Sequence, residues 1–149
     1  MTMHARATAL RFGWGAAALL FLTGAAPATT LEVTLSQVRN DKGMIRLCVT
    51  TNPKSFPGCR KDPTAVTRSV PASQHVVRIE GLAPGTYAVS VIHDENGNGK
   101  LDTFAGMPRE GFGFSRNPAM GFGPPRFSAA QFALPGDADR QQIRIRYLL

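Results

Sequence analysis

An all-β fold, a single antiparallel β-sandwich of about seven strands, is what this sequence predicts, on three observations. Apolar and polar residues alternate in several short runs. Turn-forming Gly, Pro, Asn and Asp punctuate those runs, and no segment carries a sustained 3.6-residue apolar period or a heptad. A chain of this length is sufficient for one domain with one core.

The elements follow in order. Leu31-Glu-Val-Thr-Leu35 alternates with the period of a half-buried strand, and after the turn chemistry of Asn40-Asp-Lys-Gly43 the alternation resumes at Ile45, Leu47 and Val49. These two runs are expected to form a hairpin. Residues 52–62 contain Pro53, Pro57 and Gly58 and read as a loop, followed by strands over 65–70 and 76–79. Leu82-Ala-Pro-Gly-Thr-Tyr87 reads as a turn launching a strand on which Tyr87, Val89, Val91 and His93 share one face. A tyrosine placed just after such a turn tends to bond its hydroxyl to nearby backbone, so Tyr87 is expected to be structural. Residues 101–127 are rich in Gly, Pro and Phe and show neither period, which makes them a long loop without secondary structure of its own. Strands over 128–134 and 142–147 close the domain, with Ile143, Ile145 and Tyr147 alternating against Arg144 and Arg146.

The N-terminus reads as an address. Arg6 and Arg11 precede a short apolar run over 12–23, and small residues at Ala26 and Ala28 favour cleavage before Thr29. Residues 1–28 are therefore expected to be a secretory signal peptide and 29–149 the single mature domain, exported to the periplasm or the medium. No later run approaches the roughly 20 apolar residues of a transmembrane helix. Cys48 and Cys59 both fall in the mature part, where an oxidising compartment favours their pairing. Cys48 has the opposite parity to Leu47, so the disulfide should pin the proline-rich excursion to the outer side of its sheet. Removing Arg6 and Arg11 from the 17 basic residues leaves 15 against 10 acidic. These charges are scattered, with Arg60-Lys61 as the longest basic cluster, whereas nucleic-acid recognition calls for a dense basic stripe. Nucleic acid is not an expected partner.

Several motifs together, Leu31–Leu35, Arg39–Gly43, Leu82–Tyr87, His93-Asp-Glu-Asn-Gly-Asn-Gly-Lys-Leu-Asp102, Gly106-Met-Pro-Arg-Glu-Gly-Phe-Gly-Phe-Ser115 and Gly123-Pro-Pro-Arg-Phe127, resemble the DUF2141 family of exported bacterial proteins. The resemblance spans nearly the whole of residues 29–149. It implies a β-sandwich of immunoglobulin-like or transthyretin-like appearance in the cell envelope and no particular activity.

The only segment that hints at chemistry is the loop after the Tyr87 strand. With Asp94 as position 1 of a calcium loop, Asn96 is 3, Asn98 is 5, Gly99 is 6, the Lys100 carbonyl is 7 and Asp102 is 9. Position 12 is Ala105 in place of the bidentate glutamate, and the incoming segment is a strand, so this is no EF-hand. Glu110, beyond the Gly106 and Pro108 bend, is the acid that would complete a Ca²⁺ site. The competing reading is a turn in which Asp and Asn cap their own backbone, since Asn-Gly occurs twice within four residues.

His93, Arg109, Glu110, Phe112 and Phe114 are the candidate ligand-binding residues. Phe104, Phe112, Phe114, Phe122 and Phe127, spread among glycines, either line a groove or pack the domain. Ser115 lacks the Gly-x-Ser-x-Gly elbow of a hydrolase nucleophile. Adjacent strand residues face opposite ways, so His93 and Asp94 should diverge. No catalytic residue is therefore assigned. The expected role is a non-catalytic binding or structural module, its partner an envelope protein, a glycan or a small apolar ligand. The alternative is a hydrolase or other enzyme in which His93, Glu110 and Ser115 converge.

Overall fold

The computed structural model describes residues 29–149; the signal peptide expected over 1–28 lies outside the described residues. Two sheets pack face to face. The first has the order β10–β1–β4, formed by Ala138–Arg144, Thr29–Ser36 and Val76–Leu82. The second has the order β3–β2–β5–β8, formed by Val66–Pro71, Met44–Thr50, Gly85–Asp94 and Gly111–Phe114, and β9 (Phe132–Leu134) pairs with the start of β5. The alternation expected for β1 is realised: Leu31, Val33 and Leu35 face inward and are buried. Opposite them lie Ile45, Leu47 and Val49 of β2 and Val89 and Val91 of β5, with Val77, Ile79 and Ile143 completing the core. Tyr87 donates its hydroxyl to the Ala83 carbonyl at 2.9 Å, as the turn before it led one to expect.

Four expectations are corrected. β1 and β2 do not form a hairpin: β1 pairs β4 and β10, while β2 pairs β3 and β5 in the opposite sheet. Alternation specifies a buried face and not a hydrogen-bonded neighbour, so the Asn40–Gly43 turn serves as a crossing between sheets just as well. Nor is the sandwich purely antiparallel, because β1 and β10 run parallel. The chain returns to the first sheet twice, at β4, which runs antiparallel to β1, and at β10, which flanks β1 on its other side and runs in the same direction.

Residues 101–127 are not a structureless loop. They contain a small hairpin, β6 (Thr103–Phe104) with β7 (Met107–Pro108), and the strand β8. Gly-Phe-Gly-Phe is a period-two pattern whose inward positions are glycines. A Cβ on Gly113 would sit 2.7 Å from the Arg144 carbonyl oxygen and from Ile143 Cγ2; one on Gly111 would sit 2.6 Å from Ile145 Cγ2. The last segment of the chain presses on β8 there, and Phe112 and Arg146 exchange backbone hydrogen bonds of 3.0 and 2.8 Å. Finally, residues 128–134 are not one strand, since a helical turn α1 (Phe127–Ala130) precedes β9.

The outer face of the second sheet carries its own cluster. Phe112, Phe114, Phe127, Ala88 and Ala130 are buried there, with Phe56 and Met120 packed against them. Cys48 and Cys59 are bonded on this face, as the parity of Cys48 requires. β5 is thus covered on both sides.

Candidate functional site

The loop after β5 is organised by carboxylates that accept from backbone. Asp94 is fully buried and accepts from the amides of Asn98 at 3.0 Å and Gly99 at 2.8 Å, while Arg46 Nε donates to it from β2. Asn96 accepts from the Asn98 amide at 3.1 Å and Asn98 from the Lys100 amide at 3.0 Å, two successive Asx-turns. Gly97 and Gly99 take the left-handed conformation that winds the loop tightly. The amide groups of Asn96 and Asn98 meet at Asp102, at 2.6 Å and at 2.9 and 3.0 Å. Glu110, buried, closes the loop from behind, its two oxygens accepting from the amides of Glu95 at 2.9 Å and Asp102 at 3.0 Å.

A second layer lies beneath. Arg39, on the crossing between β1 and β2, pairs with Glu95, donates to the carbonyls of Arg109 at 3.1 Å and Leu149 at 2.8 Å, and stacks 4.3 Å from the Tyr147 ring centre. Asn40 also donates to Glu95, at 2.6 Å. His93 is fully buried between the Tyr147 hydroxyl, 2.7 Å from Nδ1, and the Lys42 carbonyl, 2.8 Å from Nε2. A carbonyl only accepts, so Nε2 carries the hydrogen and Nδ1 accepts from Tyr147, whose oxygen accepts the Arg39 amide at 3.1 Å. This chain of bonds ties the C-terminus, the crossing and β5 together.

The expected ligands of a calcium loop are therefore gathered in one place: Asp94, Asn96, Asn98, Lys100, Asp102 and Glu110. Arg109, exposed, joins Arg39, Glu95, Asn96, Asp102 and Glu110 around an open polar cleft of about 280 Å³. Among the described residues, no group of three or more His, Cys, Asp or Glu side chains is arranged to hold a metal ion. Any cation there would depend on amide and carbonyl oxygens beside Asp94 and Asp102. Glu110 acts as a cap on two backbone amides.

Phe112 and Phe114 lie away from this loop, buried in the outer cluster with ring centres 6.1 Å apart. Ser115 is buried too, accepting the Val89 amide at 2.9 Å and donating to the Ala130 carbonyl at 2.6 Å. His93, Glu110 and Ser115 thus have no hydrogen-bond partner in common. Arg39, Arg46 and Glu95 were not singled out from sequence. At this site the side chains of Arg39 and Arg46 meet partners 48 to 110 positions distant, and only the crossing of the sheets brings them to the loop.

The electrostatics give the loop an acid-sensitive character. The hydrogen bond from Arg39, helped by one from Asn40, outweighs the upward push of burial and holds Glu95 below the usual carboxylate range. Burial pushes Asp94 up, but Arg46 and the amides of Gly99 and Asn98 outweigh it and leave the carboxyl lowered. The amides of Asn98 and Asn96 lower Asp102. A carboxyl lowered in the folded state stabilises above its unfolded value, near 4, and that stability is lost as pH falls through the folded value. The urea midpoint is expected to be flat above about pH 5 and to fall progressively below about pH 4. Arg39→Met should make the fall shallower by removing the Glu95 share, and an identical profile in that variant would contradict this account.

No curated protein and no solved structure matches the chain. Residues 33–143 match the model of a family described as an uncharacterized protein conserved in bacteria, DUF2141, and the chain belongs to that family.

Proposed function

We propose that this chain is an exported, non-catalytic module of the cell envelope whose loops serve binding and not bond-making. The observation that carries the reading is the fate of the three side chains that would do chemistry. His93, Glu110 and Ser115 are all buried, and each already satisfies backbone or tyrosine partners. General acid–base or nucleophilic catalysis needs a group within hydrogen-bond reach of a substrate and a partner that activates it. Export is supported by the residues preceding Thr29. A fluorophosphonate probe tests the hydrolase alternative directly: the module reading expects no covalent labelling, and attachment at Ser115 would overturn it.

A second reading concerns the loop itself, that it takes one Ca²⁺ through Asp94, Asn96, Asn98, the Lys100 carbonyl and Asp102. It is favoured by the spacing of those oxygens together with the meeting of the Asn96 and Asn98 side chains at Asp102. With only two carboxylates and Arg46 beside one of them, the affinity belongs in the weak extracellular range, about 10⁻⁴ to 10⁻³ M. Calcium at about ten times Kd should then raise the melting temperature of the oxidised protein by roughly 5 °C over EDTA. Asp102→Ala should abolish the rise. An unchanged transition in the wild type would leave the loop a hydrogen-bonded turn.

A further inference from the structure

We propose that the face built on the second sheet by residues 52–62 and 115–127 docks onto an anionic lipid surface, with Phe122 as its inserted side chain. Phe122 is fully solvent-exposed, at 112% of its reference area, whereas Phe112, Phe114 and Phe127 nearby are buried. Gly121 and Gly123 bridge across Phe122, Met120 on one side packs into the outer cluster, and Pro124 and Pro125 follow on the other. An aromatic ring is thus presented outward on a turn closed by the Gly121–Gly123 bridge.

Beside it, Pro53, Phe56, Pro125, Arg126, Phe127 and Gln131 border an open cleft of about 540 Å³. The 52–62 wall is anchored by the Cys48–Cys59 disulfide, by Ser90 donating to the Pro57 carbonyl, and by Asp62, which accepts from Thr50 at 2.6 Å and Ser55 at 2.7 Å. The 52–62 loop is therefore held by bonds of its own.

Charge identifies the partner. The two loops carry Lys54, Arg60, Lys61, Arg116 and Arg126, all exposed, against the single acid Asp62, whose oxygens are taken by Thr50, Ser55 and Thr64. Among the described residues none of these five cations makes an ion pair, and no acid occurs between Glu110 and Asp137. At the opposite end Arg39 and Arg46 are paired with Glu95 and Asp94, and the other cations there, Lys42, Lys100 and Arg109, are interspersed with the acids Asp41, Asp102 and Glu110. Unpaired cations on the same two loops as a protruding aromatic match a partner that is anionic and soft enough to receive the ring, which describes lipid headgroups over acyl chains. Surface binding requires two such signals, apolar insertion and electrostatic attraction. An acidic peptide would satisfy the charge but would leave Phe122 unenclosed. Among the described residues no helix is long and apolar enough to cross a membrane, so the contact is interfacial.

The proposal names a partner for the binding role above and rests on that reading. Vesicle binding is measured on the purified chain, so a negative result removes this partner only, whereas labelling of Ser115 removes the module reading. The chain from Thr29 onward has no tryptophan, the single one being Trp14, so Phe122→Trp installs a unique reporter. With equimolar phosphatidylcholine and phosphatidylglycerol vesicles its emission should shift to the blue, and with phosphatidylcholine alone it should not. The binding should weaken as added salt shortens the Debye length from about 8 to about 3 Å. In co-sedimentation, Phe122→Ser should bind about ten-fold more weakly with unchanged unfolding, since the ring touches no core. Lys54→Gln with Lys61→Gln should bind roughly thirty-fold more weakly. Absence of any shift, equal binding to uncharged vesicles, unaffected variants, or binding to poly-glutamate in place of vesicles would each overturn the proposal.

Discussion

Replacing Gly43 with alanine is expected to cost about 4 kcal/mol of stability, the sum of a left-handed backbone and a steric overlap that cannot relax. Gly43 has φ of +69°, and a Cβ there would run into the Asp94 carbonyl oxygen and lie 2.7 Å from Glu95 Cα. Both are backbone atoms at the junction of β5 with the carboxylate loop. Lys42, the residue before, supplies the carbonyl that holds His93, so the glycine lets the crossing between sheets lie directly on the site. Gly97 is the matched control: its φ is +72° but nothing lies within 4 Å of its Cβ, so alanine there should cost only about 1 to 2 kcal/mol. Urea unfolding of the two variants decides the matter, and equal losses would show that backbone conformation alone, not close approach, governs both positions.

Glu110→Ala should be the most damaging change to the loop, at about 3 to 4 kcal/mol, because two amides lose a charged acceptor at once. A hydrogen bond to a charged group contributes about 1.5 to 3 kcal/mol, and the Glu95 and Asp102 amides both depend on this carboxylate. Glu110→Gln keeps one acceptor oxygen but turns an amide donor toward another donor, so it should recover less than half of the loss. The discriminating readout is hydrogen exchange. Protection should fall at Glu95 and Asp102 while the amides of β1 and β2 keep theirs under conditions where the variant remains folded. A loss below about 1 kcal/mol, or unaltered protection at those two amides, would mean that Glu110 is not what closes the loop. The same variant should lose any calcium response, because Asp102 would no longer be held where Asn96 and Asn98 meet it.

Residue type reveals some of this and hides the rest for identifiable reasons. Asp94, Asn96, Asn98 and Asp102 were recognisable because alternate positions in a tight loop share a side, and that spacing is local. Glu110 was recognisable as a nearby acid, but its employment as a backbone cap depends on how β6 and β7 fold back. β8 went unrecognised because its inward residues are Gly111 and Gly113, which erase the apolar half of a strand pattern. The reason they are glycine lies in Ile143, Arg144 and Ile145, some 30 positions later. The phenylalanines could not be divided in advance into packers and protruders. Phe112 and Phe114 have outward parity on an edge strand, which is normally exposed, and only the 52–62 excursion laid over them with Phe56 makes that face a second core.

Short-range periodicity and covalent chemistry account for everything that could be read along the chain. That includes strands with one buried face, the parity of Cys48, the turn before Tyr87 and the winding of the 94–102 loop. Which strand lies beside which, that β10 runs parallel to β1, and which charges find partners follow only from the packing of the two sheets. The physical reason is that a side-chain period of two states only that a face must be buried. What buries it, and which carboxylate meets which arginine, depends on contacts between residues far apart in the chain, where the free energy of packing two whole sheets outweighs any local preference.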